Sequence, residues 1–82
     1  MNHFNRTKIL LSAVLETLAE APNGEVNEGI IFTALKANKS ATFREYRATR
    51  SLLVSANLVT RYGIVLRITD DGRALNSIGR AE

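Results

Sequence analysis

The chain has 82 residues, of which 45% are apolar and 23% are charged, a composition typical of one small folded domain and not of a disordered chain. It contains no cysteine, which excludes disulfides, a thiol nucleophile, and iron–sulfur or cysteine-based zinc sites. The single histidine, His3, has no second histidine or cysteine with which to share a metal ion, so we expect no metal and no cofactor. Without a disulfide framework or a clear export signal, the expected location is the cytoplasm.

The net charge of +3 is distributed unevenly along the chain. Residues 36–67 hold seven basic residues and one acidic residue, a balance of +6, whereas the rest holds four basic and seven acidic residues, a balance of −3. A basic segment beside an acidic remainder indicates a surface directed at a polyanion. The alternative is a solvated basic face that binds nothing.

The first third of the chain predicts two helices. Apolar side chains recur with the helical period at positions 9, 10, 13, 14, 18 and 21, which predicts a helix over 5–21. Pro22 ends it, and Glu25–Val26 is a very short extended segment. Asn27 is a good N-cap for a second helix over 27–37. No segment is apolar over a length that could span a membrane.

The third helix has the clearest local signal. Thr42 and Glu45 form a Thr-x-x-Glu capping box that opens a helix over 42–56. Its apolar side carries Phe43 and Tyr46, which we therefore expect in the core. Asn57 follows as a residue that tolerates the left-handed conformation at a helix end.

The period then changes from helical to two. Residues 58–68 are β-branched and apolar around Gly63, which predicts a tight hairpin with Leu66 and Ile68 facing the core. Thr69 then caps a last helix over 70–79, whose apolar residues are expected to face inward: Ala74, Leu75 and Ile78. The predicted fold class is α+β, with three helices, a hairpin and a C-terminal helix in one domain over 1–82.

Two stretches of this chain carry a resemblance to a known family. The first is Ser40-Ala41-Thr42-Phe43-Arg44 at the helix start, with Leu53 four residues before Asn57-Leu58-Val59, and the second is Leu66-Arg67-Ile68-Thr69-Asp70-Asp71-Gly72-Arg73-Ala74-Leu75. Together they resemble the winged-helix (winged helix-turn-helix) DNA-binding regulators of bacteria, archaea and their viruses. Asn57 stands where that family usually has glycine, and the hairpin tip at Tyr62–Gly63 is short for a wing.

The resemblance implies a sequence-specific double-stranded DNA-binding protein, a transcriptional regulator, with helix 42–56 in the major groove. Arg44 and Arg47 lie on the face away from the apolar stripe, where arginine can bind guanine or phosphate. The candidate DNA-binding residues are Lys39, Ser40, Thr42, Arg44, Arg47, Ala48, Ser51, Arg61 and Arg67. For Thr42 the alternative role is the helix cap, and for the two arginines it is plain solvation.

A homodimer would suit this mode of binding, because two half-sites lengthen the sequence that is read. The candidate dimer residues are Leu11, Leu15, Leu75 and Ile78. An equally good interpretation places these four leucine and isoleucine side chains in the core, since a domain of this size needs every apolar position.

Other function classes have weaker support in the sequence. The main alternative is a winged-helix protein–protein interaction module in a larger assembly. An enzyme is not expected, because the chain has no glycine-rich phosphate loop and no nucleophile–base pair. We expect double-stranded DNA as the partner, with no membrane and no small-molecule ligand.

Overall fold

The computed structural model describes residues 3–81, with side chains from residue 5 to residue 79. Its elements in chain order are α1 (His3–Glu20), a 3-10 turn (Pro22–Gly24), β1 (Glu25–Asn27), α2 (Glu28–Lys39), α3 (Phe43–Ser55), β2 (Val59–Tyr62), β3 (Val65–Ile68) and α4 (Asp70–Ala81). The predicted α+β class and all four predicted helices are confirmed. In the described part of the chain, no helix has the length and apolar character needed to cross a membrane.

Local capping sets where the helices begin. The Thr42 hydroxyl accepts from the Glu45 backbone N–H at 3.1 Å, and the Glu45 carboxylate accepts from the Thr42 backbone N–H at 3.0 Å. Asn27 and Thr69 also cap helices, each accepting a backbone N–H from the first turn of α2 or α4. Ser40 ends α2 in the left-handed conformation, with φ 55°. The caps at Asn27, Thr42 and Thr69 confirm the predicted starts of α2, α3 and α4.

The sheet has three antiparallel strands in the order β1–β3–β2, so the hairpin gains a third strand from β1. Val26 pairs with Leu66 on one side of β3, and Arg61 pairs with Leu66 on the other. Because Tyr62 pairs with Val65, the hairpin turn is Gly63–Ile64 and not Gly63 alone. Leu66 and Ile68 are buried, as the alternation predicts.

The core lies between α1, the α2–α3 pair and the inner face of the sheet. Its buried hydrophobic residues are Leu10, Val14, Leu15, Leu18, Ile31, Leu35, Ala41, Tyr46, Leu53, Val59, Leu66 and Ile68. Tyr46 is in the core as expected, but Phe43 is 56% exposed, so its predicted burial is wrong. Phe43 is the first residue of α3, and at a helix end the apolar stripe extends past the elements that would cover it.

Two of the expectations for apolar positions on α1 and α4 are corrected. Leu15 is 3% exposed and belongs to the core, so it offers almost no side-chain surface to a partner. Ala74, Leu75 and Ile78 do not face inward: Ala74 is exposed, and Leu75 and Ile78 are 47% and 60% exposed. The reason lies in Gly72, which is buried against the backbone of Leu58 and sets the rotation of α4 about its axis.

The close approach at Gly72 predicts a large difference between two glycines of the same helix. A methyl group at position 72 would collide with the Leu58 carbonyl oxygen and would lie 2.7 Å from Ile68 Cγ1, whereas at Gly79 it would meet nothing within 4 Å. Gly72→Ala is therefore expected to lower the free energy of unfolding by about 1–3 kcal/mol. Gly79→Ala is expected to raise it by about 0.5–1 kcal/mol, because alanine is the better helix former.

Urea unfolding of the two variants beside the unchanged chain measures both effects. Equal changes at the two positions would contradict the close approach of α4 to Leu58.

Candidate nucleic-acid interface

The outward face of α3 carries a shallow groove lined by Phe43, Arg44, Arg47, Ala48 and Ser51, which we call the α3 groove. All five residues are exposed. Four of them are predicted site residues, so the structure brings together the part of the candidate site that lies on this helix. Ala48 leaves the centre of the face without a bulky side chain, which permits close approach of another molecule.

Phe43 is the residue of the α3 groove that the sequence reasoning missed. Its ring contacts Phe32 edge-on, with centroids 5.5 Å apart and an interplanar angle of 79°. The Arg47 guanidinium lies 5.9 Å from the centre of the Phe43 ring, within the range of a cation–π contact. Phe43 therefore presents an apolar surface beside Arg47 and restricts where that guanidinium lies.

A second shallow surface adjoins the α3 groove at Phe43 and includes the turn between α2 and α3. It is lined by Phe32, Lys36, Ser40, Ala41, Thr42 and Phe43. Of the predicted residues, Ser40 and Thr42 lie here, and Lys36 is a cation that the sequence reasoning left out. Lys39 is exposed at the last residue of α2, outside both surfaces.

Arg61 and Arg67, expected to flank the hairpin together, lie on opposite faces of the sheet. Arg61 pairs with buried Leu66, and residues directly opposite across two strands share a face, so Arg61 is on the inner face. Arg67 pairs with Glu25 and Thr60 on the outer face. The register between the strands would have revealed this, but it required knowing that the turn has two residues.

Glu28, the first residue of α2, binds three side chains at once. Its Oε1 accepts from Tyr46 Oη and from Arg50 Nη1, both at 2.8 Å, and its Oε2 accepts from Arg61 Nη2 at 3.1 Å. Burial alone would raise the pKa of Glu28, but the hydrogen bonds from Arg50 and Tyr46 and the charges of Arg50 and Arg61 lower it overall. Glu28 therefore stays ionised and ties α2 to α3 and to β2.

The same network explains the behaviour of two of its partners. Burial and the hydrogen bond to Glu28 raise the pKa of Tyr46, so the phenol remains a neutral donor. Arg50 donates to Glu28 at 2.8 Å, so this cation is used within the domain.

Glu45 joins the start of α3 to α1. Arg6 donates to both of its carboxylate oxygens, at 2.9 Å and 3.1 Å, in addition to the capping bond with Thr42. The hydrogen bonds from Arg6 and from the Thr42 backbone lower the pKa of Glu45 to about 2. The single acidic residue within 36–67 is thus neutralised by an arginine from outside that segment.

The pairing pattern leaves positive charge on the α3 groove. Within the described residues, neither Arg44 nor Arg47 pairs with a carboxylate, whereas Arg6, Arg50 and Arg61 do.

Comparison with protein-family models, curated proteins and solved structures returns no match. The function is therefore inferred from the arrangement of these residues.

The first prediction from the site concerns Glu28. Glu28→Gln keeps the size of the side chain but removes the charge that holds two arginines, and we expect it to lower the free energy of unfolding by about 1.5–3 kcal/mol. Glu25→Gln makes the same change in net charge at an exposed strand residue and is expected to stay within about 0.5 kcal/mol of the unchanged chain. Urea titrations measure both free energies of unfolding. Equal decreases for the two variants would show that the change in net charge, and not the loss of the Glu28 network, lowers stability.

A second prediction concerns acid stability. Because the pKa of Glu45 is lowered from 4.5 to about 2, its contribution is fully present above pH 4.5 and is lost as the pH falls toward 2. The difference in unfolding free energy between the unchanged chain and Glu45→Gln should therefore shrink steadily between pH 5 and pH 2. Denaturant unfolding at a series of pH values measures it. If the difference in unfolding free energy stays constant over this range, the negative charge of Glu45 does not contribute to stability through Arg6.

Proposed function

We propose that this chain is a winged-helix protein that binds double-stranded DNA with α3 in the major groove, as a sequence-specific transcriptional regulator. The observation that carries the proposal is the α3 groove: two arginines that pair with no carboxylate among the described residues lie beside a small residue on one exposed helix face. An order of helix, strand, helix, helix and two strands, with β3 in the centre of the sheet, supports it. So does the resemblance of residues 40–75 to winged-helix regulators.

The chemistry of the α3 groove fits the edges of base pairs. Arg44 and Arg47 each present a planar fork of donors that matches the O6 and N7 acceptors of guanine. Phe43 offers an exposed ring for apolar contact with a thymine methyl group beside the Arg47 position. Ala48 allows the helix to approach, and Ser51 supplies a short hydroxyl for a base or a phosphate.

Phosphate contacts would surround this face. Lys36 and Ser40 lie on the surface that adjoins the start of α3, where a helix N-terminus also favours an anion. Lys39 and Thr42 stand beside them in sequence, with the Thr42 hydroxyl already accepting the capping bond. Of the two sheet arginines, Arg61 is already paired with Glu28, so Arg67 on the outer face is the one left for a phosphate contact.

A second candidate function, a protein–protein interaction module, is favoured by a different observation. Ile30 on α2 and Ile64 at the hairpin turn are both 63% exposed. The backbone of Glu28 donates to the Ile64 carbonyl at 2.7 Å, so the hairpin turn adjoins the start of α2. Exposed apolar side chains on neighbouring elements are typical of surfaces that bind proteins.

Binding to random double-stranded DNA, measured by fluorescence anisotropy over a salt series, tests the proposal. We expect binding at low salt that weakens as salt rises, with a log–log slope of about −0.9 for each phosphate contacted. Selection of preferred sequences from a random library should then return a defined site. Failure to bind DNA at about 50 mM salt, where electrostatic attraction is strong, would overturn the proposal in favour of the protein-interaction function.

Single variants separate base reading from phosphate binding. On the selected site, Arg47→Ala should cost about 1–3 kcal/mol of binding free energy and relax the preference at one base pair. Arg73→Ala removes the same charge from exposed α4 and should leave affinity nearly unchanged. Competition assays with single-base variants of the site measure both effects. A loss at Arg47 that is equal on every sequence would assign this arginine to phosphate.

A further inference from the structure

A groove between α1 and α4 leaves apolar side chains exposed to solvent. It is lined by Lys8, Leu11, Ser12, Leu15, Glu16, Leu75, Asn76, Ile78 and Gly79. Leu15 lies at its buried floor and Leu11 is half-buried, while Leu75 and Ile78 stand exposed on α4 one turn apart. Two exposed apolar residues on one helix face, beside an apolar groove, form a surface that burial would stabilise.

The polar side chains that α1 contributes to this groove have a symmetric arrangement. Lys8, Ser12 and Glu16 lie four residues apart on α1, so they form one row along the helix surface. All three are exposed, and neither Lys8 nor Glu16 forms an ion pair with another described residue. At 1.5 Å per residue, the two charged residues lie about 6 Å along the axis on either side of Ser12.

We propose that this groove binds a second copy of the chain, with the two α1 helices antiparallel and a two-fold axis at Ser12. In this arrangement Lys8 faces the partner's Glu16, and Glu16 faces the partner's Lys8. Rows of residues spaced by four pack against each other at a crossing angle of about −50°. The small side chain of Ser12 at the axis permits the close approach that such packing needs.

The charge pattern is what selects a second copy over another partner. A two-fold interface must be complementary to itself, since the same surface is used twice. The row of Lys8, Ser12 and Glu16 carries a positive, a small uncharged and a negative side chain, so an antiparallel copy of the row places opposite charges against each other. A row with the same charge at both ends would place like charges against each other. The exposed Leu75 and Ile78 of both copies supply the apolar area, and the charge pairs set the orientation and register.

Charge exchange tests this interface by sedimentation velocity over a range of protein concentrations, without DNA, so the result does not depend on the proposed function. The unchanged chain should dimerise. Lys8→Glu alone and Glu16→Lys alone each place two like-charged pairs across the axis and should weaken the dimer about tenfold. The double variant K8E/E16K restores both opposite-charge pairs at the original net charge and should restore the dimer.

Mixing the two single variants gives a further readout. Each would dimerise weakly alone, but a mixed dimer pairs opposite charges at both positions and should form about as well as the unchanged dimer. Both substituted positions are exposed, and circular dichroism checks that each of the three variants is folded. A monomer at every concentration, or a dimer that the double variant and the mixture fail to restore, would overturn the proposal.

Discussion

The orientation of α3 depends on the carboxylate of Glu28. This side chain is held at the start of α2 and receives donors from two residues of α3 and from Arg61 of β2. A partly buried carboxylate is stable only if its oxygens are hydrogen-bonded and its charge is balanced, so the three elements must take positions that deliver those donors. The inner side of α3 is thereby fixed, and its opposite side, with Arg44 and Arg47, is left for solvent or a partner.

The features that could be predicted from the sequence are those decided by a few neighbouring residues. The capping box of Thr42 and Glu45, the cap at Asn27 and the left-handed Asn57 all act within one turn of chain, and the structure contains each of them. The alternation in β3 likewise identified the inward side chains, because a pleated strand has a fixed period of two. On α3 the apolar stripe predicted which residues lie on the opposite, exposed face of the helix. Four of the candidate residues on that face line one groove.

The features that could not be predicted depend on contacts between distant segments. The exposure of Phe43 depends on where α2 ends beside it, and the rotation of α4 depends on how closely Gly72 approaches Leu58. The sequence does not indicate that Arg61 is paired, because Glu28 lies far from it along the chain. In the structure, Arg61 Nη2 and Glu28 Oε2 are 3.1 Å apart. Leu15 belongs to a wide apolar stripe, and only the packing of α1 against its neighbours decides which side of that stripe is covered.

The central position of β3 has a consequence for how the chain folds. β1 ends at Asn27, yet its hydrogen-bonding partner is β3, whose register places Val26 beside Leu66. A chain that extends only as far as α3 therefore contains the segments of three helices and a first strand with no hydrogen-bonding partner. Closing so long a loop is slower than forming any helix, because its entropy must be lost before the new contacts form. The sheet is therefore completed late relative to the helices, only once β3 is available to pair with β1.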